Sequence, residues 1–308
     1  MTVAWWAWVA VVGFIMAMLA VDLFFHRDEH VLSTREALTW SLIWIVISLA
    51  FGGVLWATLG SEAAGSYYAG YVIEKSLSVD NLFVFALLFQ FFAVPVRYQH
   101  RVLFWGVIGA LVCRALFIFA GAALLDSFHW MTYLFGAFLV FTGVKLFRST
   151  ELGVDPERNR VLRFMRRRVR MTTEYHDAHF FVRKEALWWA TPLLAVLIVV
   201  ETTDVLFAVD SIPAIFAVTT NAFIVFTSNA FAILGLRALY FLLANVLGKF
   251  VYLKIGLAAV LGFVGVKMLV SDIVHPPIWV SLVVITVLIG GSILASLRHE
   301  AATRIEPG

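Results

Sequence analysis

Apolar residues run along the chain in nine blocks separated by short polar or charged connections. The blocks fall at about 3–25, 37–59, 67–93, 101–123, 129–148, 187–218, 222–244, 251–270 and 277–297. Each is near the roughly 20 residues that a helix needs to cross a bilayer. In hydrocarbon the backbone must satisfy its own hydrogen bonds, so the pattern predicts about nine transmembrane helices. The expected fold is an all-α polytopic membrane protein, a single transmembrane unit over 1–308. The third and sixth blocks are too long for simple straight spans, and both carry acids. Excess length with internal polar groups predicts broken helices at the acidic motifs. Pro213 adds a break in the sixth, because proline lacks an N–H and crowds the preceding turn.

Composition agrees: 62% of the 308 residues are hydrophobic and 14% are charged, against about 25% charged in soluble proteins. The first block has no charge before it and Asp22, Arg27 and Asp28 after it. That is the reverse of a signal peptide, so it reads as a first span with its N-terminus outside. Lys and Arg set the orientation. Of the 23 basic residues, 18 fall on the connections that would be cytoplasmic and none on the outer ones. Five lie inside spans: Lys75, Arg114, Lys145, Arg237 and Lys267. The expectation is a multi-pass protein of the cytoplasmic (inner) membrane with a cytoplasmic C-terminus. Its long inner loop, 149–186, holds Arg163, Arg166, Arg167, Arg168 and Arg170. This patch suits anionic lipid; no nucleic-acid motif accompanies it. Cys113 is the only cysteine, which excludes an intramolecular disulfide and any multi-cysteine metal site.

The chemistry lies in two segments. Glu74-Lys-Ser-Leu-Ser-Val-Asp80-Asn81 interrupts the third block, and Glu201-Thr-Thr-Asp204 through Asp210-Ser211 interrupts the sixth. A charge at the bilayer centre costs about 2.5–3.5 kcal/mol on insertion scales, so these acids must be paired, protonated or bound to something. They also align with each other. Glu74, Asp80 and Asn81 match Asp204, Asp210 and Ser211 at an offset of 130; Arg114 matches Arg237 at 123; Phe141, Gly143 and Lys145 match Phe263, Gly265 and Lys267 at 122. The order is kept, so 67–148 reads as one three-helix repeat and 187–270 as a second. An odd number of helices per repeat inverts the second copy, an architecture that places a transport site at the midplane.

Glu201 and Asp204 share a helical face. Five carboxylates, Glu74, Asp80, Glu201, Asp204 and Asp210, form a hard-ligand set, with neutral oxygens on Asn81, Ser211, Ser78, Thr203 and Asn229. Such a set suits Mn²⁺, Mg²⁺ or Ca²⁺, whereas zinc and copper sites carry Cys or His. Lys75, Arg114, Arg237, Lys145 and Lys267 are the expected counter-charges. They are too few to neutralise the acids if the span-end lysines are set aside.

Ile73-Glu-Lys-Ser-Leu-Ser-Val-Asp-Asn81, Arg170-Met-Thr, His179-Phe-Phe-Val-Arg183 and Asp204-Val-Leu-Phe-Ala-Val-Asp-Ser-Ile-Pro-Ala-Ile-Phe-Ala-Val-Thr219 together resemble the bacterial TerC/Alx family, closest to its Alx branch. The resemblance covers essentially the whole chain. It implies an inner-membrane protein of the LysE-like transporter superfamily, associated with manganese export, response to alkaline pH and tellurium resistance, with the same five acids at the metal. The leading expectation is therefore Mn²⁺ efflux, proton-coupled, by a non-enzyme. The alternatives are a metal-binding membrane partner that supports metalation of secreted enzymes, and an intramembrane aspartyl protease, whose Gly-x-Gly-Asp signature is absent.

Overall fold

The computed structural model of the chain describes residues 3–25, 33–128, 130–148, 163, 169–184, 187–243, 252–270, 273 and 278–303. In the helices, the side chains of Asp80 and Asp210 lie outside the described part. Five helices come first: α1 (Trp5–Phe25), α2 (Thr34–Leu59), α3 (Ser61–Phe91), α4 (Val96–Ser127) and α5 (Met131–Arg148). A two-stranded antiparallel hairpin follows, β1 (Phe181–Lys184) and β2 (Leu187–Ala190). Then come α6 (Pro192–Phe216), α7 (Ala222–Ile233), α8 (Leu236–Leu243), α9 (Leu253–Leu269) and α10 (Ile278–Thr303). Among the described residues, seven helical segments are long and apolar enough to cross a membrane, and Ile255–Leu269 is a shorter apolar one. The helix α3 has the length but carries Glu62, Glu74, Lys75 and Asp80.

Three expectations fail. The acidic helices are not broken: α3 runs unbroken for 31 residues and α6 for 25. Pro213 sits one turn from the end of α6, and the helix continues through it to Phe216. At 1.5 Å per residue α3 is about 46 Å long, longer than the roughly 30 Å hydrocarbon core. The break falls instead in the seventh span, at Leu234–Gly235, where Gly235 has φ +76° and a side chain on it would strike the Trp44 ring. Finally, 187–190 is a strand rather than the start of the sixth span, which begins at Pro192. Most of the basic loop, including Arg166–Arg168, lies outside the described residues.

The helices of the two proposed repeats pack reciprocally. The helix α3 lies on α7 as α4 lies on α6, and α5 pairs with α9. In that last pair the spacing is backbone-tight. A Cβ on Gly136 would lie 3.0 Å from the Gly265 carbonyl oxygen, and one on Gly265 would lie 2.8 Å from the Gly136 carbonyl oxygen. Gly143 faces the Ala258 carbonyl at 2.9 Å in the same sense. As 136 rises to 143 the partner falls from 265 to 258, so the pair is antiparallel. With no hydrophobic drive between helices in lipid, such small-residue contact is what holds them. Gly265→Ala should therefore lower thermal stability by about 1–3 kcal/mol, because its obstacles are backbone atoms that cannot turn aside; Gly262→Ala, which has open space, should be silent in the same melt.

The hairpin closes one end of the bundle. Tyr175 donates its hydroxyl to the Phe92 carbonyl at 2.7 Å, Arg101 lies over the Phe180 ring, and Thr191 donates to the His179 carbonyl at 2.7 Å. Phe92 ends α3 and Thr191 begins α6, so both acidic helices meet the hairpin. At the other end Val3 and Trp8 line one cavity of about 370 Å³ with Thr219, Thr220 and Phe223. The start of α1 and the α6–α7 turn thus share the end opposite the hairpin. Burial pushes the Tyr175 phenol up to about 12. A raised phenol stays protonated and donating below its ordinary value near 10 and is lost as pH rises through 12. Limited proteolysis across 169–191 should accelerate between about pH 10 and 12 in the wild type; Tyr175→Phe, lacking the donor, should already be cut faster at pH 8.

Candidate functional site

Asp204 sits at the midpoint of α6, about 18 Å from either end at the helical rise, and is 4% exposed. Its neighbours follow from the crossing of α3, α4 and α6. From α3, the Asn81 amide donates to Asp204 Oδ1 at 3.5 Å, joining the two acidic motifs across 123 residues of sequence. From α4, the Arg114 charge bears on it. One turn back on α6, the Glu201 charge does too.

Glu74 is fully buried, and both its oxygens are used. Arg114 makes an ion pair with one, and the Asn229 amide donates to the other at 3.1 Å. A carboxylate held by a guanidinium and an amide has little left for a cation. Glu201 differs: it is partly exposed and lies against Gly109 of α4, where even a methyl group would collide with its carboxylate. Gly109 is thus the slot that admits it, with Cys113 one turn along the same face of α4.

Of the expected neutral ligands, Thr203 turns to its own helix, donating to the Val199 carbonyl at 2.7 Å. Ser78 and Ser211 are buried with hydroxyls that find no partner among the described residues. Buried polar atoms are nearly always satisfied, and in sequence Ser78 stands two residues from Asp80 and Ser211 next to Asp210. Among the described residues no three of His, Cys, Asp and Glu form a ready metal cluster; Asp80 and Asp210, whose side chains lie outside that set, are one turn or two from the groups above.

The counter-charges divide differently from the sequence expectation. Among the described residues, Arg114 is the one base that pairs with a candidate acid. Arg237 is held by Asp22 of α1, at 2.9 Å to the carboxylate and 3.0 Å to the backbone carbonyl. Lys75 donates to the Ala232 carbonyl at 3.1 Å. Lys267 donates to Ser281 at 2.9 Å, and Lys145 is exposed on the last turn of α5. Sequence reasoning missed Asp22, although it was the one acid at the end of the first apolar block, and it missed Gly109, for which an isolated glycine gives no signal.

The model of the integral membrane protein TerC family matches residues 59–304. The chain belongs to the TerC family. Within it, the chain is 53% identical to the membrane protein STKORF319 of Myxococcus xanthus over 95% of this chain and 93% of that one. It is 50% identical to a protein of Escherichia coli (strain K12) provisionally named membrane-bound redox modulator Alx, over 91% of this chain and 90% of that one. A membrane protein of Rickettsia bellii is 39% identical over 97% and 99%. No solved structure matches. The TerC match takes in α3 to α10 and leaves α1 outside, so the Asp22–Arg237 pair ties a helix beyond the family region to one within it.

Proposed function

We propose that this TerC-family protein exports a hard divalent cation, Mn²⁺ fitting best, through a carboxylate site at the midplane and in exchange for protons. The observation that carries the reading is Asp204: a carboxylate at the centre of an apolar span, in contact with Asn81 of the partner motif. Intramembrane acids are costly unless they work. The ligand set narrows to Asp80, Asp204 and Asp210 with Asn81, Ser78 and Ser211, since Arg114 and Asn229 occupy Glu74. Glu201, partly exposed beside the buried acid, is the group placed to carry the proton. A cation arriving there displaces protons, because ligation requires the ionised form.

The reciprocal packing of α3 to α5 on α6 to α9 supports an inverted repeat, and such repeats alternate access by rocking about a fixed site. The hairpin end, with Arg97, Arg101, Arg170, Arg183 and Lys184, is the cytoplasmic end by the positive-inside rule. Exposed Phe181 and Trp188 set beside Arg183 suit the headgroup layer there, with the 149–186 loop on anionic lipid. The first span's start and the α6–α7 turn then face outward across the inner membrane.

Purified protein in vesicles with a trapped metal indicator tests this. Mn²⁺ should move down its gradient, faster than Mg²⁺ or Ca²⁺, and an opposing proton gradient should drive it uphill. Binding without flux would assign the site to metal loading of other proteins instead.

A further inference from the structure

The break at Leu234–Gly235 leaves a half-helix end inside the membrane. No backbone N–H reaches the Phe231 or Ala232 carbonyl among the described residues. Phe231 and Ala232 are the tenth and eleventh residues of α7, so these carbonyls lie about 14–15 Å from its start at the helical rise. Two side chains meet them. Ser48 of α2 reaches the Phe231 carbonyl at 3.3 Å while donating to its own Trp44 carbonyl, and the Lys75 ammonium of α3 donates to the Ala232 carbonyl. Beside Ser48 stands the buried Tyr71 hydroxyl.

This is the chemistry of a monovalent-cation site. The C-terminal end of a helix carries about half a negative charge, and neutral carbonyl and hydroxyl oxygens at interrupted helices are what binds such ions in transporters. Here a cation is already present on a tether. We infer that the C-terminal end of α7 is a monovalent-cation site whose resident ion is the ammonium of Lys75. Lys75 is thus not a counter-ion of the acidic motif in which it stands. It is a positioning residue that holds α7, and with it Asn229, against α3. The tether makes the site independent of free Na⁺ or K⁺; extending that independence to the working cycle rests on the exporter reading, while the site itself does not.

Thermal unfolding of the purified full chain tests it, in choline chloride with NaCl, KCl or propylammonium chloride added. The wild type should not respond. Lys75→Ala should unfold about 5 °C lower in choline, the loss of one charged hydrogen bond in a chain of this size. Na⁺ or propylammonium at about 100 mM should recover most of that loss by binding the folded state. Lys75→Met, which fills the space without a donor, should lose as much and recover nothing. If Lys75→Ala does not accumulate, Lys75→Ser is read in the same way. A Lys75→Ala melt equal to the wild type, or lowered equally in every salt, overturns the inference. So does a wild type that needs Na⁺ for Mn²⁺ flux in vesicles. A wild type with no flux under any salt refutes the exporter reading and leaves the melting result to decide the site.

Discussion

Asp204→Asn should abolish the proposed Mn²⁺ efflux while the protein remains folded in the membrane. The amide keeps the shape of the carboxylate and can still meet Asn81, so packing is unchanged. What it removes is the charge at the midpoint of α6. Losing a group that merely supports a ligand costs about 10–100-fold in metal affinity, so losing the ligand should cost about 100-fold or more in flux. Asn81→Ala, which removes the neutral contact at 3.5 Å, should cost about 10-fold by the same reasoning. The melting temperature should stay level or rise for Asp204→Asn, because a buried charge without an ion-pair partner is a burden on the fold. Wild-type flux in Asp204→Asn would remove the midplane carboxylate from the pathway and the proposed function with it.

Breaking the Glu74–Arg114 pair has the largest expected effect on stability. Both partners are buried, at 0% and 2% exposure, so either single change strands a charge in the bundle. Glu74→Gln or Arg114→Met should each cost about 3–5 kcal/mol. The double variant removes both charges of the pair and should recover part of that loss, the remainder being the Asn229 hydrogen bond, imperfect packing and the Arg114 charge lost beside Asp204. Denaturant melts of all four proteins close the cycle. Efflux by the double variant then separates scaffold from ligand: retained Mn²⁺ binding keeps Glu74 out of the metal site. Summed losses in the double variant would show that each partner acts alone.

The sequence made the spans legible because a bilayer imposes one length and one polarity, and nearly every block reappears as a helix. It misplaced the breaks for a physical reason. Acids inside a span suggested an interrupted backbone, yet side chains alone can satisfy buried carboxylates, as Arg114 and Asn229 do for Glu74. The interruption fell where the tertiary contact of Trp44 demands a residue without a side chain, and Gly235 looks locally like any other glycine. Asp204 and Asn81 could be named beforehand because rare polar residues stand out against an apolar ground. The partners of Lys75 and Arg237 could not. One is a backbone carbonyl, silent in any sequence, and the other is an acid 215 residues away. Asp80 and Asp210, singled out beforehand, keep their helical positions.

The seam between α5 and α9 sets the mechanics of whatever motion the bundle makes. Its tight points are two helical turns apart on each helix, at Gly136 and Gly143 on one and Ala258 and Gly265 on the other. Sliding one helix along the other by less than a full turn would drive side chains into carbonyl oxygens, and a full turn is a step of about 5.4 Å. Small displacements along this line are therefore blocked, while rotation about it is not. The seam thus has the character of a knife-edge bearing: it resists sliding along its length and leaves tilt about it as the open direction.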